Sequence, residues 1–326
     1  MNHAESYVMK KISLPFISLL STLPLAAQAF DSSRVSGEFS VNTGFATSNS
    51  NLNPNGDRML KGLNNNVSHT NEIFAAPLGN LNLALDTQDT HRVYAGTSRD
   101  DLAVGTLAFE VGYQRDLPDG TQIDIAYLPT IVSGEVWDNP YLEGTQRITT
   151  DVEGDAYRLK LSNIANTGVS FDLGYATSEL DNEGVAYQEL ARDHDTYFLK
   201  GQYLSMLNHR SGLITAFSYT DHNAEGSAAS YNQYKVEATY FANLNDHHFA
   251  VTSSHGYRDF ESVNPLFNQE RADYFHRVFV AYEYNDIPNW ENWSVTSFGG
   301  ATLNTSNIDF YQSTEFLMSV GLNYRF

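Results

Sequence analysis

Residues 318–326 read Met-Ser-Val-Gly-Leu-Asn-Tyr-Arg-Phe. In an extended chain successive side chains point to opposite faces. Met318, Val320, Leu322, Tyr324 and Phe326 therefore share one face, and Ser319, Gly321, Asn323 and Arg325 the other. One face suits an apolar surrounding and the other suits water. This strand predicts a sheet that separates the two.

The same two-residue rhythm recurs upstream. From about Val35 onward, apolar and polar residues alternate for roughly ten positions and then break at turn residues. Strands are predicted near 35–47, 80–86, 91–97, 107–116, 121–131, 154–164, 168–177, 194–204, 212–221, 231–243, 248–258, 274–285, 292–302 and 313–326. That makes about fourteen, or twelve if the two short segments around 81–85 and 93–97 form one loop. Ten residues at about 3.3 Å each, tilted about 45°, cross an apolar band of roughly 25 Å. The short connections Leu117–Gly120, Ala165–Thr167, Ser205–Ser211, Asn243–His247 and Asp286–Glu291 alternate with longer ones, as in a barrel with turns at one rim and loops at the other. The fold class expected is all-β, a closed antiparallel transmembrane β-barrel of about 14 strands.

The pleat also assigns sides. Leu107, Phe109, Val111 and Tyr113 share a face, as do Ile123, Ile125 and Tyr127; Val169, Phe171, Leu173 and Tyr175; Leu213, Phe217 and Tyr219; and Val278, Val280, Tyr282 and Tyr284. These should face lipid. Glu110, Gln114, Asp124, Arg158, Lys160, Asp172, Lys200, Gln202, Lys235, Glu237, Arg277, Glu283 and Arg325 fall on the opposite phase and should line the lumen. An Arg or Lys at the bilayer midplane costs about 2–4 kcal/mol, so so many charges in one phase are not lipid contacts.

Composition agrees with that design. The 326 residues are 41% hydrophobic and 13% aromatic, with a mean hydropathy of -0.37. Beyond the amino-terminal segment no run of about 18 apolar residues occurs, which excludes a helical span but not a barrel. There is no cysteine, hence no disulfide scaffold, thiol catalysis or thiolate metal site. A formal charge of -20 argues against nucleic acid. Lys10 and Lys11 precede an apolar run from Ile12 to Ala26 that ends Ala27-Gln28-Ala29, the pattern of a secretory signal peptide. Residues 1–29 are expected to be that signal and 30–326 the barrel domain, with translation starting at Met9. The first strand follows within a few residues of Phe30, which argues against an amino-terminal plug.

The terminal strand, closed by Phe326, resembles the last strand of bacterial outer-membrane barrels, whose carboxyl end the barrel assembly machinery reads. In addition, residues 108–164, with the Asp-Gly hairpin at Leu117–Gly120, Ser133-Gly134-Glu135-Val136-Trp137 and Gly154-Asp155-Ala156-Tyr157-Arg158, resemble an uncharacterised family of Gram-negative outer-membrane proteins catalogued only as a domain of unknown function. The resemblance implies a bacterial outer-membrane barrel in contact with lipid and lipopolysaccharide. It carries no activity and no functional residues.

Candidate chemistry is sparse. His209 and Ser211 form a His-x-Ser pair, but in a turn on the periplasmic side, so catalysis is not expected. His247 and His248 beside Asp246 are adjacent on a strand and point to opposite faces, which favours a structural turn. Asp151, Glu153 and Asp155 alternate along one face and, with Glu135, Asp138 and Glu143, could hold a hard cation; the alternative is a solvated acidic rim. Acidic residues at 179–195 and 259–273, both placed in outer loops, predict a negative mouth. Trp137, Trp290 and Trp293 are expected at interfaces or in loops, with carbohydrate stacking by Trp137 beside Tyr141 as the other reading. The segment from Ser48 to Gly79, rich in Asn and Gly, is read as the longest loop, either a constriction folded into the lumen or an external loop. No cofactor is expected. The function predicted is a passive, porin-like channel for small hydrophilic solutes. An adhesion or envelope-stability barrel with a filled lumen, and a channel for hydrophobic substrates, are the alternatives.

Overall fold

The computed structural model describes residues 34–63, 69–97, 108–130, 133–285 and 287–326. The expected signal segment and Leu107 lie outside these residues. Fifteen strand segments follow in order: β1 Val35–Ser48, β2 Thr70–Ala84, β3 His91–Thr97, β4 Phe109–Asp116, β5 Gln122–Pro129, β6 Gly134–Trp137, β7 Thr149–Ser162, β8 Val169–Leu180, β9 His194–Asn208, β10 Ser211–Ala224, β11 Tyr231–Leu244, β12 His247–Asn264, β13 Gln269–Tyr284, β14 Trp293–Ser306 and β15 Ser313–Arg325. Each pairs antiparallel with its neighbours, β1 pairs with β15, and β5 and β6 both lie along β7. The short β6 is thus the outer continuation of β5 beyond Pro129, a residue that cannot donate to a ladder. Counting the two as one, fourteen strands close the barrel. Closure pairs the first strand with the last, so the sheet has no terminal strand.

Both members of the pair β2–β3 are strands, which rules out the count of twelve. The expected loop Ser48–Gly79 is shorter than its composition implies, because β2 begins at Thr70 and pairs with β1 along its whole length. Pro77 and Gly79 read as breakers but fit the wall. The Gly79 amide faces Thr97 Oγ1 of β3 at 3.2 Å, so Pro77, two residues away, has its missing donor on that same side. There the described β2–β3 ladder, Asn80 to Ala84 on β2, does not extend.

Turns are as tight as the alternation requires. At Asp119-Gly120 the Gly120 amide bonds the Leu117 carbonyl at 3.0 Å with Gly120 at φ 85°, a conformation that glycine adopts without a Cβ penalty. The connection expected over Ser205–Ser211 shrinks to His209 and Arg210, since β9 runs to Asn208 and β10 starts at Ser211. The segment 259–273 is not a loop: β12 continues to Asn264 and β13 starts at Gln269, so two arms project beyond the wall. A register shift between Asp259 and Val263 adds the bend that a bulge confers.

The outside carries the apolar phase. Val111 is 47% exposed and Ile125 56%, whereas Glu110 is 6% exposed. Two aromatic rings bound this surface. Toward the loop rim, cross-strand tyrosines pair as Tyr127–Tyr157 at 5.4 Å, Tyr175–Tyr197 at 5.1 Å, Tyr219–Tyr234 at 5.4 Å and Tyr257–Tyr274 at 4.8 Å. Toward the turn rim lie Tyr240–Phe249, His247–Tyr284, Trp290–Trp293, Trp293–Tyr324 and Tyr324–Phe326. On β13 the rings are separated by the ten residue steps from Tyr274 to Tyr284. That is about 33 Å along the strand and about 25 Å once it is tilted about 40°, the height of an outer-membrane apolar band.

Candidate functional site

The lumen divides into a sector filled by paired charges and a sector that stays open. In the filled sector, Arg158 of β7 meets Asp172 of β8 at 2.9 Å and Glu110 of β4 at 3.4 Å. Tyr94 of β3 lies across Gly112, where a Cβ would sit 2.5 Å from its ring, and donates to Asp124 of β5 at 2.6 Å. Lys200 of β9 and, where this sector borders the open one, Lys235 of β11 share the carboxylate of Glu237, at 3.0 and 3.2 Å. Here opposite charges stand in register on neighbouring strands, as Asp124↔Lys160 and Lys160↔Asp172 do, so each neutralises the next. At the turn rim, Arg325 pairs with Glu283 and its Nε lies 3.6 Å from Glu38.

The open sector is bounded by β1–β2 and β11–β15. Beneath the loop rim it holds a cavity of about 820 Å³ whose charged lining residues are Glu72, Lys235, Arg258, Arg271, Arg277 and Glu315. Lower in the same sector, beside Glu38 and Glu283, is a second cavity of about 210 Å³. Between the two levels, Asn42 donates to Ser40 at 2.9 Å and accepts from Thr296 at 3.0 Å.

The mouth above the larger cavity is crossed by loops. Residues 49–63, between β1 and β2, reach over β2–β5 to the β6–β7 loop: the Gly144 amide bonds the Leu60 carbonyl at 3.0 Å, the Arg147 amide the Arg58 carbonyl at 2.7 Å, and the Leu63 amide Glu143 Oε1 at 2.6 Å. Arg147 is 2% exposed. Its guanidinium donates to the carbonyls of Asn51 at 2.7 Å, Pro140 at 3.1 Å and Asp57, and lies 4.2 Å over the Trp137 ring. Burial lowers its pKa to about 10, so it remains a cation at neutral pH. From the other side of the mouth, the Phe310 carbonyl accepts from Asn51 Nδ2 at 2.8 Å. Leu60, Ile308, Phe310 and Tyr311 form an apolar cluster joined by Leu63, Tyr141 and Phe267. The hydroxyls of Tyr141 and Tyr311 meet at 2.8 Å, and burial raises the pKa of both. Four connections, two of them nearly half the circumference apart, thus build one small core over the barrel.

Several expected site residues are placed differently by this cap. Trp137 is 1% exposed, with Arg147 on its ring and its Nε1 donating to the Asn53 carbonyl at 3.0 Å; it is a strut of the cap and offers no face for a sugar. Asp151, Glu153 and Asp155 are exposed on the outer face of β7, and Asp155 accepts from the Tyr127 hydroxyl at 2.5 Å. Glu135 stands opposite Asp151, while Glu143 is engaged by the Leu63 amide. His247 and His248 diverge as expected, one bonded to Tyr282 at 2.8 Å and the other to Asn243 at 2.7 Å. Ser211 accepts from Asn208 Nδ2 at 2.8 Å at the turn rim. The periodicity did not single out Arg258, Arg271, Glu72 and Glu315. The first two carry the lumen phase of Ser254 and Arg277 but lay at the edge of, or inside, a segment read as loop.

A family model described as protein of unknown function (DUF2860) matches residues 35–325. No curated protein matches the sequence. Among solved structures, the chain is similar to a Pseudomonas aeruginosa FadL homologue, with 10% identity over 89% of this chain and 90% of that one and a TM-score of 0.46. It is also similar to the loop L8 deletion mutant of OmpT from Vibrio cholerae, with 8% identity over 90% and 100% of the chains and a TM-score of 0.40. An anion-selective porin from Comamonas acidovorans gives 10% identity over 90% and 99% and a TM-score of 0.38. Likeness at this level bears on no solute.

Proposed function

The chain belongs to the DUF2860 family of proteins of unknown function, and from that premise we propose that it is a channel of the bacterial outer membrane that passes small hydrophilic solutes along its open sector, gated by the loop cap. The observation that carries this reading is the pair of cavities stacked in one sector, at about 820 and 210 Å³, inside a wall whose exterior is apolar between two aromatic rings. The polar phase seen in the sequence supplies the lining: Lys235, Arg277, Glu283 and Arg325 in the open sector, and Glu110, Asp124, Arg158, Lys160, Asp172, Lys200 and Glu237 packing the remainder. Insertion through the assembly machinery by the strand ending at Phe326, and lipid contact through the tyrosine rings, are part of the same proposal.

A liposome-swelling series with sugars, amino acids and short oligosaccharides tests it. Swelling that falls off with solute size is expected, and liposomes sealed to the smallest sugar would reject it. The second reading, a barrel with a filled lumen that serves the envelope, is favoured by the ion-paired sector and by the cap. It predicts sealed liposomes even after the cap is cut away.

A further inference from the structure

We propose that the larger cavity is a binding site for a small solute that presents a carboxylate to Arg258 and Arg277 and rests an apolar ring against Phe275; this rests on the channel reading for the solute's route, though not for its binding. Of the six charged groups in the lining, two are already satisfied. Lys235 is held by Glu237 at 3.2 Å, and Arg271 by Asp273 at 2.6 Å, with Asp273 0% exposed. Among the described residues no ion pair engages Arg258 or Arg277. Both line the cavity and both are half-buried; Arg258 stands opposite Asp273, whose carboxylate Arg271 holds, and Arg277 stands opposite Ser254 and Thr302, so an anion in the cavity is what gives each a direct counter-charge.

The geometry is prepared for a planar anion. Gly256 of β12 faces Phe275 of β13, and with no Cβ to meet the ring, 2.2 Å away if one were built, Phe275 lies flat against the wall. The Arg258 guanidinium sits 5.0 Å over that ring and its Nε is anchored to Gln233 Oε1 at 2.7 Å. A guanidinium held in this way presents parallel N–H donors to the two oxygens of a carboxylate. Lys235 stands opposite Gly256 and Arg277 opposite Ser254, so three cations surround the Phe275 floor. Glu72 on β2 and Glu315 on β15 lie on the other wall. The carboxylate end is set by the cations of β12–β13 alone, and Glu315 is exposed to water, where a bound cation would compete with hydration.

Titration calorimetry on the folded barrel in detergent, with benzoate, benzamide and benzylammonium as probes, tests the site. Benzoate should bind saturably, and benzamide and benzylammonium at least about tenfold more weakly. Arg258→Gln and Arg277→Gln should each weaken benzoate about tenfold or more, and Glu72→Gln and Glu315→Gln should not weaken it. Heat-modifiable gel mobility reports folding of every variant; Arg258→Lys, which keeps the charge but not the fork, should still lose affinity if the Gln variant fails to fold. Equal binding of benzamide, failure of folded wild type to bind benzoate, or wild-type affinity in the folded double Gln variant would overturn the proposal. Benzoate binding in a barrel whose liposomes stay sealed removes the channel and keeps the site; conduction without benzoate binding does the reverse.

Discussion

The two halves of the lumen are built from the same residue types and differ in whether the charges cancel. Along β4, β5, β7 and β8, carboxylates and cations alternate between neighbouring strands, so Arg158 closes on both Glu110 and Asp172 within 3.4 Å. Along β12–β15 the corresponding positions are Ser254, Gly256, Gly300 and Thr302, and Arg277 is separated from Glu315 by Thr302. Small residues between charges leave volume, and unpaired charges keep that volume wet. The difference teaches that a barrel of this size can be plugged by ion pairs on one side without losing a path on the other.

The largest expected effect comes from breaking the filled half. Arg158→Ala removes the cation that Glu110 and Asp172 share, with side chains 7% and 14% exposed, and should destabilise the barrel by about 3–5 kcal/mol in equilibrium unfolding from detergent or lipid. Arg277→Ala in the open half should cost less than about 1 kcal/mol; equal costs would abolish the distinction between the halves. Next, Val280→Arg, on the outer face between the two aromatic rings, should cost about 2–4 kcal/mol in the same assay in lipid, and no cost would mean that this surface does not meet hydrocarbon.

Arg147→Ala removes the shared donor to three loop carbonyls, each of which costs about 1–3 kcal/mol if left buried and unsatisfied. It should leave the wall intact, free residues 49–63 for proteolysis and raise single-channel conductance. Deleting Asn51–Gly62 should raise conductance as well; an unchanged current in both would show that the cap does not limit flow. The smallest effect is that of Glu315→Gln, below about 0.5 kcal/mol, read as a modest shift of reversal potential toward anions in a salt gradient.

Much of the wall was legible in the chain because a strand's two faces repeat every second residue and lipid punishes every error of phase. Fourteen strands, the turn rim with its Asp-Gly hairpin and the inward phase of Glu110, Arg158 or Lys200 follow from that rule. Other positions were hidden by composition. Pro77 and Gly79 resemble breakers, and 259–273 resembles a loop, because polar arms that project past a membrane need no alternation. Arg258 and Arg271 were missed for this reason.

What the sequence by itself determined is the closed barrel with a greasy exterior, since each strand's pattern is local and is satisfied by lipid on one face and water on the other. What only the tertiary structure decided is which charges cancel and where the mouth closes. Arg158 finds Glu110 at a separation of 48 residues and Trp137 finds Asn53 at 84, and contacts over such distances depend on how far around the circumference each strand lands, which no local pattern encodes.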